Sequence, residues 1–229
     1  MIGMPLFKAI VPVNNTTTCE IHRKTMKSNI EIANHLMLKS IGIYDISLYH
    51  GKMGLVLALY LYARQEGATH ISDYAWNLLQ EVHKGVNETL PIGLEYGLSG
   101  IGYGITLLKK YDIFDCDLND ILGGIDQKIM CYDPRRITDL SFRNGVCGLI
   151  NYIRLRIEVE GEIKSFDVQY LHELQQKVTT FPVLQNGIPH TTLWNDLHSP
   201  DWNLSDFHDK PLGIDEGLAY FLIKNLNLH

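Results

Sequence analysis

Three short strings constrain this chain more than any other feature: Gly51-Lys-Met-Gly54-Leu-Val-Leu-Ala-Leu, Gly97-Leu-Ser-Gly100-Ile-Gly-Tyr-Gly-Ile and Gly145-Val-Cys-Gly148-Leu-Ile-Asn-Tyr-Ile. Each opens on two glycines three residues apart and continues without a polar face. Glycines at that spacing share one side of a helix, where the missing side chains let a neighbouring backbone come close. A helix that is apolar all round is buried all round. One such pair is ordinary tight packing, whereas three in register are a repeat. A fourth string, Gly217-Leu-Ala-Tyr220-Phe-Leu-Ile, keeps the first glycine and puts tyrosine in place of the second.

Amphipathic segments alternate with these strings. Ile71, Tyr74, Ala75, Leu78, Leu79 and Val82 form one apolar stripe at helical spacing; Leu118, Ile121, Leu122, Ile125 and Ile129 repeat it, and Tyr170, Leu171, Leu174 and Val178 do so more loosely. An earlier copy is expected from Ser28, with Glu31 three residues on completing a capping box. The leading glycines are 46 residues apart (51 to 97), then 48 (97 to 145), then 72 (145 to 217), so the period is that of a helical hairpin. The longer last interval holds an insertion, about 181–212, rich in Pro, Asn, Asp and His; without a period, it is expected to form a loop over the face of the fold. Only Lys8 to Val13 has β-like composition. The expected organisation is an irregular N-terminal arm (1–27) followed by one repeat domain (28–229). The fold class is all-α, an α/α toroid-like array, partial or open, with an inner ring packed on all sides and an outer ring covering it.

Composition narrows the function classes. Apolar residues are 45% and charged residues 20%, which is globular and far from disorder. The formal charge of −6, with Lys and Arg scattered, offers no basic stripe to nucleic acid. No apolar stretch reaches the ~20 residues that span a bilayer. Cys19, Cys116, Cys131 and Cys147 form no CxxC or CxxH pair and read as free thiols in a reducing compartment. The opening residues do not read as a signal peptide, so a cytoplasmic protein is expected, with no membrane or nucleic-acid partner.

Tyr44-Asp45-Ile46-Ser47-Leu48-Tyr49-His50-Gly51-Lys52-Met53-Gly54-Leu55 resembles an early repeat of the lanthionine synthetase C-like proteins, in which a Ser-Leu-aromatic-x-Gly-x-x-Gly string leads each inner helix. Tyr96-Gly97-Leu98-Ser99-Gly100 and Asp139-Leu140-Ser141-Phe142-Arg143-Asn144-Gly145-Val146-Cys147-Gly148 resemble later ones. The likeness runs from about Ser28 to Asn225. It implies a cyclase fold in which two cysteines and a histidine, on Trp-Cys-x-Gly and Cys-His-Gly strings, hold a zinc ion. The metal lowers the pKa of a substrate thiol, and the thiolate adds to a dehydrated serine or threonine. Neither string is present. Tyr49-His50-Gly51 stands in the analogous place with tyrosine for the first cysteine, and Cys147 lies inside its helix, so no cofactor is expected and zinc is expected to be absent. Asp139 is the nearest equivalent of the family's acid-base aspartate, set further ahead of its glycine than the family pattern has it.

Tyr49, His50, Glu95, Tyr96, Arg143, Asn144, Asp215 and Glu216 precede the inner helices and are expected to line one concave face. His50 is either a lone ligand or proton carrier, or it hydrogen-bonds a neighbouring loop. His190, His198 and His208, with Asp196, Asp201, Asp206 and Asp209, are either a metal cluster or, as favoured, solvated loop residues. Cys147 reads as a packed core thiol. Glu95 and the pair Asp215-Glu216 suit helix N-termini, and facing one cavity they would also suit glycoside hydrolysis. The leading expectation is a non-catalytic or degenerate family member that binds a peptide or partner protein in peptide natural-product maturation. The alternative is an enzyme, either a cyclase with an unrecognised metal site or a carbohydrate-active toroid. Four hairpins are fewer than the family's usual ring, so the first and last should each leave an apolar edge. The arm (Ile10, Val11, Val13) and the inserted loop (Trp194, Trp202) are expected to cap these edges, giving a monomer or a weak homodimer.

Overall fold

The structure, a computed structural model, describes residues 29–180, 191–205 and 207–226. Residues 29–40 form helix α1, followed by α2 (Lys52–Glu66), α3 (Thr69–Gly85), α4 (Leu98–Lys110), α5 (Leu118–Met130), α6 (Val146–Glu160), α7 (Val168–Thr180), the short α8 (Leu193–Asp196) and α9 (Leu218–Lys224). No strand occurs among the described residues, and none of their helices is long and apolar enough to cross a membrane. The Ser28 cap, the 1–27 arm with its β-like run, His190 and Asp206 lie outside the described residues.

The two helix types separate as their patterns require. In α2 every residue from Lys52 to Ala63 is buried. The amphipathic helices bury one stripe each: Ile71, Ala75, Leu78 and Val82 in α3, and Leu118, Leu122, Ile125 and Ile129 in α5. Asp117 caps α5 by accepting the Asn119 N–H. Helices α5 and α6 are pinned by a fully buried ion pair: Asp126 accepts from Arg156 at 2.9 Å and from the Tyr152 hydroxyl at 2.6 Å.

Helix α2 packs against α4 on one side and α9 on the other, and α4 packs against α6, so the inner helices run in the order α9, α2, α4, α6. This corrects the expectation of a free edge beside the first hairpin. The last inner helix returns to cover α2, because its apolar residues Leu218, Ala219, Leu222 and Ile223 need a partner and the chain between α6 and α9 is long enough to bring them there.

The inserted segment also departs from a loop laid over the face. Ile101 and Ile105 of α4 face outward between α3 and α5, so Tyr103, about 200° round the helix from each, faces inward. Leu193 of α8 is 1% exposed and its backbone N–H donates to the Tyr103 hydroxyl oxygen, while the Trp194 indole donates to the Tyr111 hydroxyl at 3.0 Å. Helix α8 therefore sits inside the array. Trp202 packs edge-on against Phe221 of α9, with ring centroids 5.3 Å apart, so this segment does cover the last helix as expected.

Candidate functional site at the mouth of the inner helices

Each inner helix is preceded by a seven-residue leader folded back on its first turn. The first helical N–H donates to the carbonyl seven residues upstream in all four: Lys52 to Asp45 (2.8 Å), Leu98 to Pro91 (2.8 Å), Val146 to Asp139 (3.0 Å) and Leu218 to Pro211 (2.8 Å). Asp45 and Asp139 close the leader further by accepting the Ser47 and Ser141 N–H groups, each at 2.7 Å. The paired glycines belong to this device. Gly51, Gly97 and Gly145 are extended, with φ of −108°, −124° and −115°, so space rather than conformation requires them. A Cβ at any of them would fall well under 3.0 Å from leader backbone. The second glycines, Gly54, Gly100 and Gly148, face the carbonyls of Leu48, Leu94 and Phe142 in the same way. The close approach inferred from the glycine pairs is therefore made chiefly by the chain's own leader, not by a neighbouring helix.

Equal leaders place equivalent side chains at one point. Two residues before each leading glycine stand Tyr49, Glu95, Arg143 and Asp215, and these meet. The Arg143 guanidinium donates to Asp215 at 2.7 Å and to Glu95 at 3.5 Å, and it lies 4.7 Å from the centre of the Tyr49 ring. The residues one step later surround them. His50 Nε2 lies 3.1 Å from Glu95 Oε1, Asn144 donates to the other Glu95 oxygen at 2.9 Å, and Tyr96 stacks on His50 at 5.5 Å while remaining 48% exposed. Glu216 departs from the set. Its backbone is held at φ 54° by its N–H to the His198 carbonyl and by the Trp202 indole on its own carbonyl, and it is exposed outside the network.

Two members of the cluster come from the inserted segment. Asp196 accepts from the Tyr49 hydroxyl and from Arg143 Nε, both at 2.9 Å, and His198 accepts from Arg143 at Nδ1 while its backbone N–H donates to Asp215 at 2.6 Å. This corrects the reading of Asp196 as a solvated loop residue, whereas His198 stays exposed, as expected, while bonded to the cluster. Asp201 stays exposed, and His208 and Asp209 lie apart, where His208 and Phe207 pack on His35. Asp139, engaged in its turn and exposed, does not reach the cluster.

Burial alone would raise the Asp215 carboxyl, but Arg143 and the His198 N–H outweigh it and hold it below the usual carboxylate range. Glu95 is held down similarly, against burial, by Asn144, His50 and Arg143. The Tyr49 hydroxyl is pushed far up, first by burial and then by Asp196. The mouth is thus a set of ionised carboxylates around one guanidinium. A zinc site of the cyclase kind does not fit here. Among the described residues no cysteine contacts the cluster, Cys147 is buried within α6 with its thiol pushed up by that burial, and Arg143 fills the space between the carboxylates. Among the described residues no group of three or more His, Cys, Asp or Glu is arranged to hold a metal.

Parallel inner helices whose N-termini share one mouth, backed by amphipathic outer helices, define an α/α toroid-like helical repeat protein. Residues 22–199 match the family described as lanthionine synthetase C-like protein, and the chain belongs to that family. No curated protein matches it. The match ends before α9, whose place as the fourth inner helix rests on its leader.

Proposed function

We propose that this chain is a non-catalytic lanthionine synthetase C-like protein that binds an extended peptide at the mouth of its inner helices, in the maturation of a peptide natural product. The observation that carries the reading is Arg143, whose guanidinium is bound by Asp196, Asp215 and Glu95. A half-buried cation already bound by three carboxylates leaves no opening for a Lewis acid to activate a thiol. It does hold a floor beneath the exposed Tyr96 and His198 and the half-buried His50, whose ring faces and ring nitrogens suit a peptide backbone and its side chains. Glycoside hydrolysis is disfavoured on the same ground, since it needs one carboxyl held protonated while Glu95 and Asp215 are both held ionised.

The reading is tested with a random peptide library panned against the purified full chain, alongside zinc analysis. Peptides enriched by the chain should lose binding to Tyr96→Ala, and the protein should hold no stoichiometric zinc. A chain that enriches no peptide, or that binds one zinc per molecule and adds thiols to dehydrated serine peptides, overturns it.

A further inference from the structure

Outside the ring, helices α3 and α5 do not close over α4. Between them lies an apolar groove of about 790 Å³, floored by Ile101 and Ile105 of α4 and walled by Trp76 and Leu79 of α3 and Ile121 and Ile125 of α5. Trp76 is 50% exposed and Ile121 52%, although both stand beside apolar stripes that are otherwise covered. Apolar residues gathered from two helices onto one open patch mark a docking surface.

We propose that the apolar run Ile2–Val13 of this same chain occupies the groove. These residues lie outside the described ones. They carry Leu6, Phe7, Ile10, Val11 and Val13 with Lys8 as their one charge, and the groove is lined by only two carboxylate or ammonium groups, Asp115 and Lys128. The edge of α2 that this run was expected to cover is taken by α9. The tether reaches. Helix α1 lies along α3, since Ser40 and the Met37 carbonyl bond Tyr74, and Trp76 stands on the opposite side of α3. The groove is therefore about two helix spacings, ~20 Å, across from α1, and the tether starts at the far end of α1, where Asn29 bonds Asn225, ~15 Å further along the axis, which makes the span ~25 Å. Residues 14–28 form a 15-residue tether. Its root-mean-square span as a flexible chain is ~21 Å, and its extended limit is ~50 Å. A second copy is a poor occupant, because a concave slot does not complement itself across a two-fold axis.

Cys116 lines the groove and gives a direct test. In the full chain with Cys19 and Cys131 changed to serine, Ile10→Cys is introduced and the protein is oxidised with copper–phenanthroline. The expected product is an intramolecular disulfide to Cys116, located by mass spectrometry, formed at a rate independent of protein concentration. Adding the half-exposed substitution Ile121→Glu, which leaves the core intact, should slow it about tenfold, as a loss of ~1.4 kcal/mol in docking would. Formation of a disulfide-linked dimer instead, an unchanged rate with Ile121→Glu, or no link to Cys116 overturns the proposal.

Discussion

Gly100 and Gly148 each face a carbonyl of the leader that precedes their own helix, so alanine at either position tests the packing from which the mouth is built. A Cβ at Gly100 would fall well under 3.0 Å from the Leu94 carbonyl oxygen and 3.1 Å from the Leu48 Cβ. At Gly148 it would press on the Phe142 carbonyl oxygen, with carbons of Leu94 at 3.1 Å behind it. The leader cannot slide away freely, because the N–H groups of Leu98, Ser99 and Gly100 hold the carbonyls of Pro91, Ile92 and Gly93 at 2.8, 3.3 and 3.3 Å. Overpacking costs ~1–3 kcal/mol. Losing one or two of these hydrogen bonds adds ~1 kcal/mol each, and the better helix propensity of alanine returns ~1 kcal/mol. The net loss is ~2–3 kcal/mol for either variant.

Helix α5 supplies the opposite sign in the same molecule. A Cβ added at Gly123 or Gly124 would meet nothing within 4 Å, so alanine there should gain up to ~1 kcal/mol per site from helix propensity alone. Urea denaturation followed by far-ultraviolet circular dichroism reads both effects. With an m-value of ~2–3 kcal/mol/M, the midpoint should fall by ~1 M for Gly100→Ala and rise by a few tenths for Gly123→Ala. A Gly100→Ala protein that unfolds at or above the parent midpoint would refute the leader packing.

Asp126→Asn leaves the Arg156 guanidinium buried without its counter-charge and should cost ~3–5 kcal/mol by the same denaturation, whereas Asp126→Leu combined with Arg156→Met should recover much of that loss. The mouth carries its own pH signature. Asp215 and Glu95 have folded pKa values depressed below their unfolded ones, so their stabilisation is fully present above ~4 and is lost as pH falls through the depressed values. Arg143→Met should therefore lower the melting temperature most at neutral pH, with the gap from the parent closing as pH falls below ~4; a gap that is constant with pH would count against the network.

Much of the architecture was legible because a helix states its burial in its period. Ile71, Ala75, Leu78 and Val82 show one covered face, and Met53 to Ala63 show a segment covered on every side. The glycine pairs were legible as sites of close approach, but not what approaches them, since a carbonyl six residues upstream leaves no mark on composition. One signal in the sequence does record the leaders. Pro91-Ile-Gly93-Leu-Glu95-Tyr-Gly97 and Pro211-Leu-Gly213-Ile-Asp215-Glu-Gly217 share proline, glycine and carboxylate in register, which makes Glu95 and Asp215 equivalent and separates Asp215 from Glu216. Asp196 and His198 had no such signal. They sit in an aperiodic segment and join the mouth only because Leu193 is buried inside the array. The pairing of α9 with α2 was equally hidden, because closure between the last and first helices is a contact between distant parts of the chain that neither period encodes.

That closure explains why an arginine stands before α6. Helix α2 is packed on both sides and α4 joins α2 to α6, whereas α6 and α9 form the ends of the row. Their leaders nevertheless meet, and Arg143 makes the junction. Its Nε and both terminal nitrogens donate to Asp196, to Asp215 and to the Asp196 carbonyl, with His198 and Glu95 taking further bonds. Such a junction needs a long side chain with several fixed, planar donors that stays charged when half-buried. Lysine offers a compact ammonium with three donors, while the guanidinium fork spreads five over the width of two carboxylates. The guanidinium that closes the row at its mouth also occupies the centre where the four leaders converge. In this chain the same side chain therefore ties the two ends of the row together and fills the centre of the mouth.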